Sequence, residues 1–166
     1  DGKKQLVWMG GRRKTPTGIS ELYKEVYKLE AGHTSWISLP DLPYPLSAGT
    51  GSLLNPTTVL LFGGDRGATF TKVETLLAAI HQEQDPEVKS NLIKAKNNLL
   101  VNHPGFSKEI LQFDAIKEKY AVVGTIPFDT PVTSTAVKWG DTIFILSGEV
   151  RAGVRTPDIL SIKLND

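Results

Sequence analysis

The chain has 166 residues, is 40% hydrophobic and carries a net charge of +1 at pH 7. This length suits one domain with a real core, and the near balance of charge argues against a nucleic-acid partner. The chain has no cysteine, which excludes disulfides, thiol catalysis and cysteine metal sites, and no apolar run is long enough to predict a membrane span.

The N-terminal part of the chain predicts three strands and a loop. Leu6–Met9 is a short apolar run that ends at a glycine pair, which is typical of a strand buried on both faces. Arg12–Ser20 is polar and contains Pro and Gly, so it predicts a loop. Glu21–Leu29 fits both a helical period and a strand, and the repeat described below favours a strand that ends at Tyr27. Trp36–Leu39 predicts a short outer strand.

The middle of the chain begins with two strands and continues with two helices. Leu46–Leu54 is rich in small residues, which suits a strand where backbones crowd together, and Thr57–Phe62 is a central apolar strand. Helical stretches follow at Lys72–Gln84 and Pro86–Asn102, with Asp85 as a good N-cap for the second. We expect these helices to form an insertion over residues 72–104 that serves as a lid or a partner surface, or that packs its apolar stripe on the sheets.

The C-terminal part predicts five more strands. They lie at Glu109–Asp114, Tyr120–Thr125, Val132–Lys138, Thr142–Leu146 and Pro157–Leu164. The whole chain therefore predicts ten antiparallel strands. We expect an all-β fold of sheets with three, four and three strands, covering roughly residues 1–45, 46–127 and 128–166.

A repeat underlies this pattern. Three apolar runs each end in glycine and then in charged residues, at Leu6–Arg13, Val59–Arg66 and Ile143–Arg151. The first two glycine signals, Gly10 and Gly63, are 53 residues apart, which is close to the roughly 50 residues of a kelch propeller blade. The next gap, from Gly63 to Ser147, is 84 residues, so one blade carries an insertion of about 30 residues.

The chain resembles kelch repeats in its aromatic residues as well. A kelch blade has a glycine pair and then two aromatic residues with about six residues between them, and the middle repeat has Gly63-Gly64, Phe113 and Tyr120. The first repeat has Gly10-Gly11, Tyr27 and Trp36, with two extra residues between the aromatics, and the third keeps only Gly148 of the pair. The resemblance implies β-propeller blades.

A closer resemblance lies in Gly148–Thr156, which contains Gly-Glu, a short stretch with Gly153, and then Arg-Thr. This pattern is similar to the signature of the sialic acid mutarotases, the N-acetylneuraminate epimerases, and particularly to their cyclically permuted branch. Those proteins also carry a helical insertion in the preceding blade. Their propellers have six blades, and this chain holds about three over residues 1–166. Because a propeller closes with four to eight blades, we expect it to be a fragment or to assemble with a second chain.

The resemblance implies catalytic roles for Glu149 and Arg155. Mutarotation of a sugar hemiketal needs a group that moves a proton, and a carboxylate can do this. Sialic acid carries a carboxylate, which a guanidinium group binds with two hydrogen bonds. Glu149 therefore becomes the acid/base candidate and Arg155 the carboxylate binder. The alternative is a loop salt bridge between them on a solvated rim.

Further candidates follow the ends of equivalent strands. Arg12, Arg66 and Arg151 would line one mouth of a propeller and attract an anionic substrate, although each also fits an ordinary charged loop residue. His33, His81 and His103 show no metal-site spacing and are predicted to lie at the surface. We expect no metal and no cofactor.

Two functions compete at this point. The leading hypothesis is a mutarotase that interconverts the α and β anomers of sialic acid, and the alternative is a kelch-type protein-interaction module without catalysis. A copper oxidase on a kelch scaffold is disfavoured because its modified tyrosine needs a cysteine. The resemblance implies a periplasmic or secreted bacterial protein. The sequence begins at Asp1 without an initiator Met and shows no signal-peptide pattern, so we expect a processed product or an expression fragment.

Overall fold

The computed structural model describes residues 4–164, which form ten strands and two helices. The first sheet contains β1 (Gln5–Lys14), β2 (Ser20–Glu30) and β3 (Ile37–Leu39), in that order. The second contains β4 (Thr50–Asn55), β5 (Thr58–Phe62), β6 (Glu109–Asp114) and β7 (Lys119–Thr125). The third has β9 (Thr142–Arg151) between β8 (Ala136–Trp139) and β10 (Val154–Lys163). The helices are α1 (Ala68–Gln82) and α2 (Pro86–Val101).

The predicted all-β architecture is confirmed. All neighbouring strands are antiparallel, and the sheets have three, four and three strands as the repeat predicts. The ambiguous segment after Ser20 is a strand, because its residues pair with both β1 and β3. The helices interrupt the middle sheet between β5 and β6. The chain thus contains three successive sheets of the kind that form propeller blades.

Two predicted boundaries were wrong, for one physical reason. The sequence predicted a loop at Arg12 and Arg13, and it predicted that Gly148–Thr156 lies between the strands Thr142–Leu146 and Pro157–Leu164. In the structure the ladder continues past each glycine, because a bulge absorbs the positive φ: the register shifts between Met9 and Gly11, and β9 runs on to Arg151. The glycines bend these strands without ending them.

The helical insertion begins earlier than predicted. Asp65 accepts a hydrogen bond from the Gly67 backbone N–H, and Gly67 has a φ of 89°, so the turn is complete by residue 67 and α1 starts at Ala68. The predicted N-cap of α2 is confirmed, since Asp85 accepts from the N–H groups of Glu87 and Val88. No residue of α2 is buried, and α2 packs against α1. Within the described residues, neither helix is long and apolar enough to span a bilayer.

The middle sheet separates two hydrophobic clusters. Val59 and Leu61 of β5 face the cluster shared with the first sheet, while Leu60 and Phe62 face the cluster shared with the third. The buried members of the first cluster are Val26, Leu39, Leu42, Leu46, Leu111 and Phe113, and those of the second are Leu60, Phe62, Ile126, Ile143 and Ile145. Each such side chain contributes about 1.5–3 kcal/mol on burial, so these clusters hold the sheets face to face.

The first glycine of each pair sets the distance between neighbouring sheets. A Cβ on Gly63 would lie 2.7 Å from the Pro131 carbonyl oxygen, and a Cβ on Gly10 would collide with the Leu46 carbonyl oxygen. Both glycines also have positive φ, 65° and 61°. Each glycine therefore lets a strand approach the backbone at the start of the next sheet, which no other residue would allow.

This close approach gives a matched test. Gly63 and Gly140 have nearly the same φ, 65° and 61°, but a Cβ on Gly140 would meet nothing within 4 Å. We expect Gly140→Ala to lower the free energy of unfolding by about 1–2 kcal/mol, the cost of the left-handed backbone alone. Gly63→Ala adds the collision with Pro131 and should cost clearly more. Urea denaturation of both variants measures the difference, and equal losses would show that sheet spacing does not depend on Gly63.

Candidate functional site

The residues that follow the glycine pairs converge on one face of the three sheets. Asp65 bridges to Ser47, and Glu149 bridges to Val132, so each lies beside the start of the innermost strand of its own sheet. Between sheets, the Thr133 N–H donates to the Ala48 carbonyl at 3.1 Å. This hydrogen bond links the segments that lead into β4 and β8. It therefore brings the charged residues beside these segments, Asp65 and Glu149, to the same face.

A cavity of about 200 Å³ opens at this convergence. Its polar lining comes from all three sheets and from the helical insertion: Arg12, Ser47, Asp65, Thr69, His103, Thr133 and Glu149. Its apolar lining includes Phe70 and Val73 of α1 and the nearby Phe106. The cavity thus combines one cation, two carboxylates and aromatic surface, the kind of lining that small polar ligands use.

Strained backbone borders this cavity. Ala48 and Thr133 occupy equivalent positions before the innermost strands, and both have positive φ, 56° and 51°. Such conformations are uncommon outside glycine, and they cluster at ligand sites because the surrounding structure must hold them. Here the hydrogen bond between these two residues holds them. The strain fixes where the backbone groups of the cavity wall point.

The Glu149 side chain is fixed by its own hairpin. Its Oε1 accepts a hydrogen bond of 2.9 Å from the Gly153 N–H, in the tight turn that joins β9 to β10. Gly153 has a φ of 72°, which confirms that the reversal uses the freedom of glycine. Glu149 is partly buried and lines the cavity. Its carboxylate is therefore ordered and still accessible to a ligand.

Arg155 lies directly opposite Glu149. The two residues are Cα partners in the β9–β10 ladder, so their side chains share one face of the sheet. Both were expected in a loop, and the structure places them on facing strands. No ion pair joins them within the described residues, and Arg155 is exposed. The salt-bridge alternative is therefore not what the structure shows.

The predicted arginines have different surroundings. Arg12 lines the cavity, with its guanidinium group 4.5 Å above the ring of Phe70. Arg151 lies 3.6 Å from Asp129, which also pairs with Lys108. Neither Arg66, Arg151 nor Arg155 is among the residues that line this cavity.

Arg66 belongs to a network between sheets. Its guanidinium group is 2.5 Å from the Glu109 carboxylate and 3.6 Å above the ring of Tyr44. The Tyr44 hydroxyl donates to the same carboxylate at 2.9 Å, and burial together with this bond raises the pKa of Tyr44. These contacts join the segment before β4 to β6. They occupy Arg66 with partners of its own chain.

Two features of the site have no signal in the sequence. His103, predicted to lie at the surface, is only 8% exposed and lines the cavity. Glu74 of α1 is buried, and its carboxylate accepts from the backbone N–H and the hydroxyl of Ser20 in the first sheet. The insertion is connected in sequence to the second sheet, between β5 and β6, but Glu74 binds it to the first sheet. Its inner helix therefore forms a wall of the cavity.

Comparison with known proteins places the chain in a family. A sequence model described as N-acetylneuraminate epimerase matches residues 2–166. The chain belongs to this family. It is 25% identical over 99% of its length to an N-acetylneuraminate epimerase of Brucella melitensis, of which it covers 43%. It is 25% identical to one of Salmonella typhi, of which it covers 39%, and 22% identical to a kelch domain-containing protein of Vibrio cholerae, of which it covers 44%.

A solved structure shows the same fold. The structure of YjhT superposes on 99% of this chain with a TM-score of 0.78 and 20% identity, and the chain covers 47% of it. The fold is therefore a kelch β-propeller in part. The chain spans less than half the length of the curated relatives it matches.

The anchor of the insertion can be tested with Glu74→Ala. This change leaves two donors of Ser20 without their acceptor, and hydrogen bonds to a charged group contribute about 1.5–3 kcal/mol each. We expect a loss of at least 2 kcal/mol in the free energy of unfolding, and faster proteolysis within residues 68–101. Glu87→Ala is the control, because Glu87 lies in the first turn of α2, where helix-dipole effects contribute about 0.3–1 kcal/mol. Equal stability of the two variants would contradict the anchoring role.

Proposed function

We propose that this chain is the catalytic part of a sialic acid mutarotase, which interconverts the α and β anomers of N-acetylneuraminic acid by acid/base catalysis. The observation that carries the proposal is the Glu149 carboxylate, held by Gly153 at the edge of a shared cavity and paired across the ladder with Arg155. The family supplies the substrate, since its relatives are named N-acetylneuraminate epimerases. This isomerisation needs no cofactor.

The chemistry requires one proton to leave and one to arrive. A base takes the proton of the anomeric hydroxyl, the bond from the anomeric carbon to the ring oxygen breaks, and the ring oxygen gains a proton. The resulting open-chain ketone rotates, and the hydroxyl adds to its other face with the proton movements reversed. Glu149 suits the base role because its carboxylate is ordered and reachable from the cavity. Nothing is consumed, because the carboxylate regains its starting state.

Arginine binds the sugar carboxylate. Arg155 shares the sheet face of Glu149 and is exposed, so its planar fork can receive a carboxylate with two hydrogen bonds. The guanidinium group of Arg12 lies over the Phe70 ring, and within residues 4–164 no carboxylate pairs with it, so its N–H groups can donate to a ligand. Arg66 and Arg151 already contact carboxylates of this chain. They contribute positive potential near the mouth at longer range.

Further blades complete the site. On the middle sheet, Leu60 and Phe62 face the next sheet, and their equivalents on β9 are Phe144 and Leu146. At the other end, Trp8 of β1 is 61% exposed on the face equivalent to that of Leu61. We propose that the remaining propeller blades, in a longer chain or a second chain, cover these two faces. The bacterial relatives support a bacterial protein, and we propose a periplasmic or secreted one.

Glu149→Gln tests the base. The amide keeps the shape and can keep the bond from Gly153, but it cannot take a proton at neutral pH. In the propeller completed by its remaining blades, we expect the rate of anomer exchange to fall by about 10²–10⁴-fold, the usual contribution of a general base. Proton NMR of freshly released α-sialic acid measures the conversion to the β anomer. A full rate in this variant would reject the mechanism and favour the alternative, a kelch-type interaction module.

Arg155→Ala tests the carboxylate binder. Loss of a charge-assisted contact of about 1.5–3 kcal/mol should raise the KM for sialic acid roughly 10- to 100-fold, with a smaller change in kcat. Arg13→Ala is the matched control, because Arg13 is an exposed arginine that pairs with Glu21, and such surface pairs contribute little. The assignment is wrong if both variants show the same KM as the unmodified protein.

A further inference from the structure

We propose that His103 is a substrate-contacting residue of this site, which donates a hydrogen bond from its Nε2–H to the ring oxygen of the bound sugar. The inference rests on the proposed function and extends it to a residue in the segment that leaves the helical insertion. It assigns to the insertion a direct part in recognition.

The position of His103 is fixed between the second and third sheets. The segment after α2 turns at Gly105, whose Cβ position lies 3.7 Å from the carbonyl oxygen of Val150, the residue that follows Glu149. Two residues later, the Ser107 N–H donates to the Gly64 carbonyl at 3.0 Å. This segment therefore lies against the residues that follow β5 and against the C-terminal part of β9. His103 and Glu149 consequently line the same cavity of about 200 Å³.

The tautomer follows from one hydrogen bond. The Gly105 N–H donates to Nδ1 of His103 at 3.0 Å, so Nδ1 carries no proton and the neutral ring holds its proton on Nε2. The Phe106 ring packs against the imidazole with 5.0 Å between ring centroids. These two contacts fix the ring plane. Nε2–H is thus a donor whose direction is set before any ligand binds.

This donor is available to a ligand. Among residues 4–164, no protein group bonds Nε2, yet no fully sealed side-chain nitrogen or oxygen in that range lacks a partner. Nε2 is therefore open to the cavity, although only 8% of the residue is exposed. A ligand oxygen that displaces the solvent at this donor can accept from it without any rearrangement of the ring. We infer that a ligand oxygen accepts it.

The role proposed for Glu149 in the same cavity selects the ring oxygen as the acceptor. Glu149 accepts a proton from the anomeric hydroxyl, so the same step needs a donor at the oxygen that leaves the anomeric carbon. As that carbon–oxygen bond breaks, the ring oxygen keeps the electron pair, and Nε2–H stabilises the developing charge. The proton that Glu149 took reaches the ring oxygen through water, so His103 keeps its own proton. Glu149 thus acts on the anomeric hydroxyl and His103 on the ring oxygen in the same step.

Two substitutions separate this role from a structural one. His103→Asn keeps an acceptor near the position of Nδ1 for the Gly105 N–H but removes the distant donor. His103→Gln reaches the position of Nε2 with an amide N–H but gives up the Gly105 bond. In the completed propeller, we expect His103→Asn to keep its melting temperature within a few degrees while kcat falls at least 10-fold. His103→Gln should lose melting temperature and keep more of its kcat than the Asn variant.

The α-to-β exchange assay, run with thermal melts, gives distinct outcomes. The inference is supported if the unmodified protein is active, His103→Asn loses kcat but keeps its melting temperature, and His103→Gln keeps more of its kcat. If the unmodified protein is active and His103→Asn exchanges anomers at the same rate, His103 does not touch the reacting atoms, and the mutarotase function stands without it. If kcat in both variants simply follows melting temperature, the role is structural and the inference is overturned. An inactive unmodified protein overturns the proposed function itself, and the inference falls with it.

Discussion

The structure depends on backbone contacts that only glycine allows. Gly10 and Gly63 bring their strands against the carbonyl groups of Leu46 and Pro131, the residues that lead into the next sheet. A shift that brought the preceding residue, Met9 or Phe62, to the contact would put a Cβ into a carbonyl oxygen. The segments that lead into the innermost strands of the second and third sheets are therefore fixed relative to the preceding sheet. The apolar clusters between the sheets supply most of the stabilisation, and the glycines determine which arrangement is stabilised.

The same register produces the cavity. Once the strand entrances are fixed, Ala48 and Thr133 must take a left-handed backbone to turn into their strands, and one hydrogen bond links them. The residues after the glycines then lie beside these entrances, which brings Asp65 and Glu149 to one face. The insertion adds the last wall, because Glu74 ties α1 to the first sheet although the helix leaves from the second. The site is thus a consequence of how the sheets meet.

Much of the fold could be predicted from local signals. Apolar runs that end in glycine give the strand order, and Asp85 before Pro86 gives the start of α2. The predicted ends of the strands were wrong, because a strand continues past a glycine only if the partner strand continues to pair with it. Arg12 stays in the strand since it pairs with Leu22. The prediction that His103 lies at the surface was wrong for a related reason. His103 lies beside residues of the third sheet, which are distant in the sequence, so the residues near His103 give no sign of its burial.

The arginines show why a site cannot be read from charge alone. Equivalent positions after the glycines suggested that Arg66 and Arg151 would bind an anion, but each contacts a carboxylate in the structure, and Arg66 also stacks on Tyr44. To bind a ligand, Arg66 must give up its contacts with Glu109 and Tyr44, and Arg151 must give up Asp129, so part of the gain is lost. Within residues 4–164, Arg12 and Arg155 have no carboxylate partner. Of the predicted arginines, Arg12 lines the cavity and Arg155 lies opposite Glu149, so these two are the best placed to bind an anion.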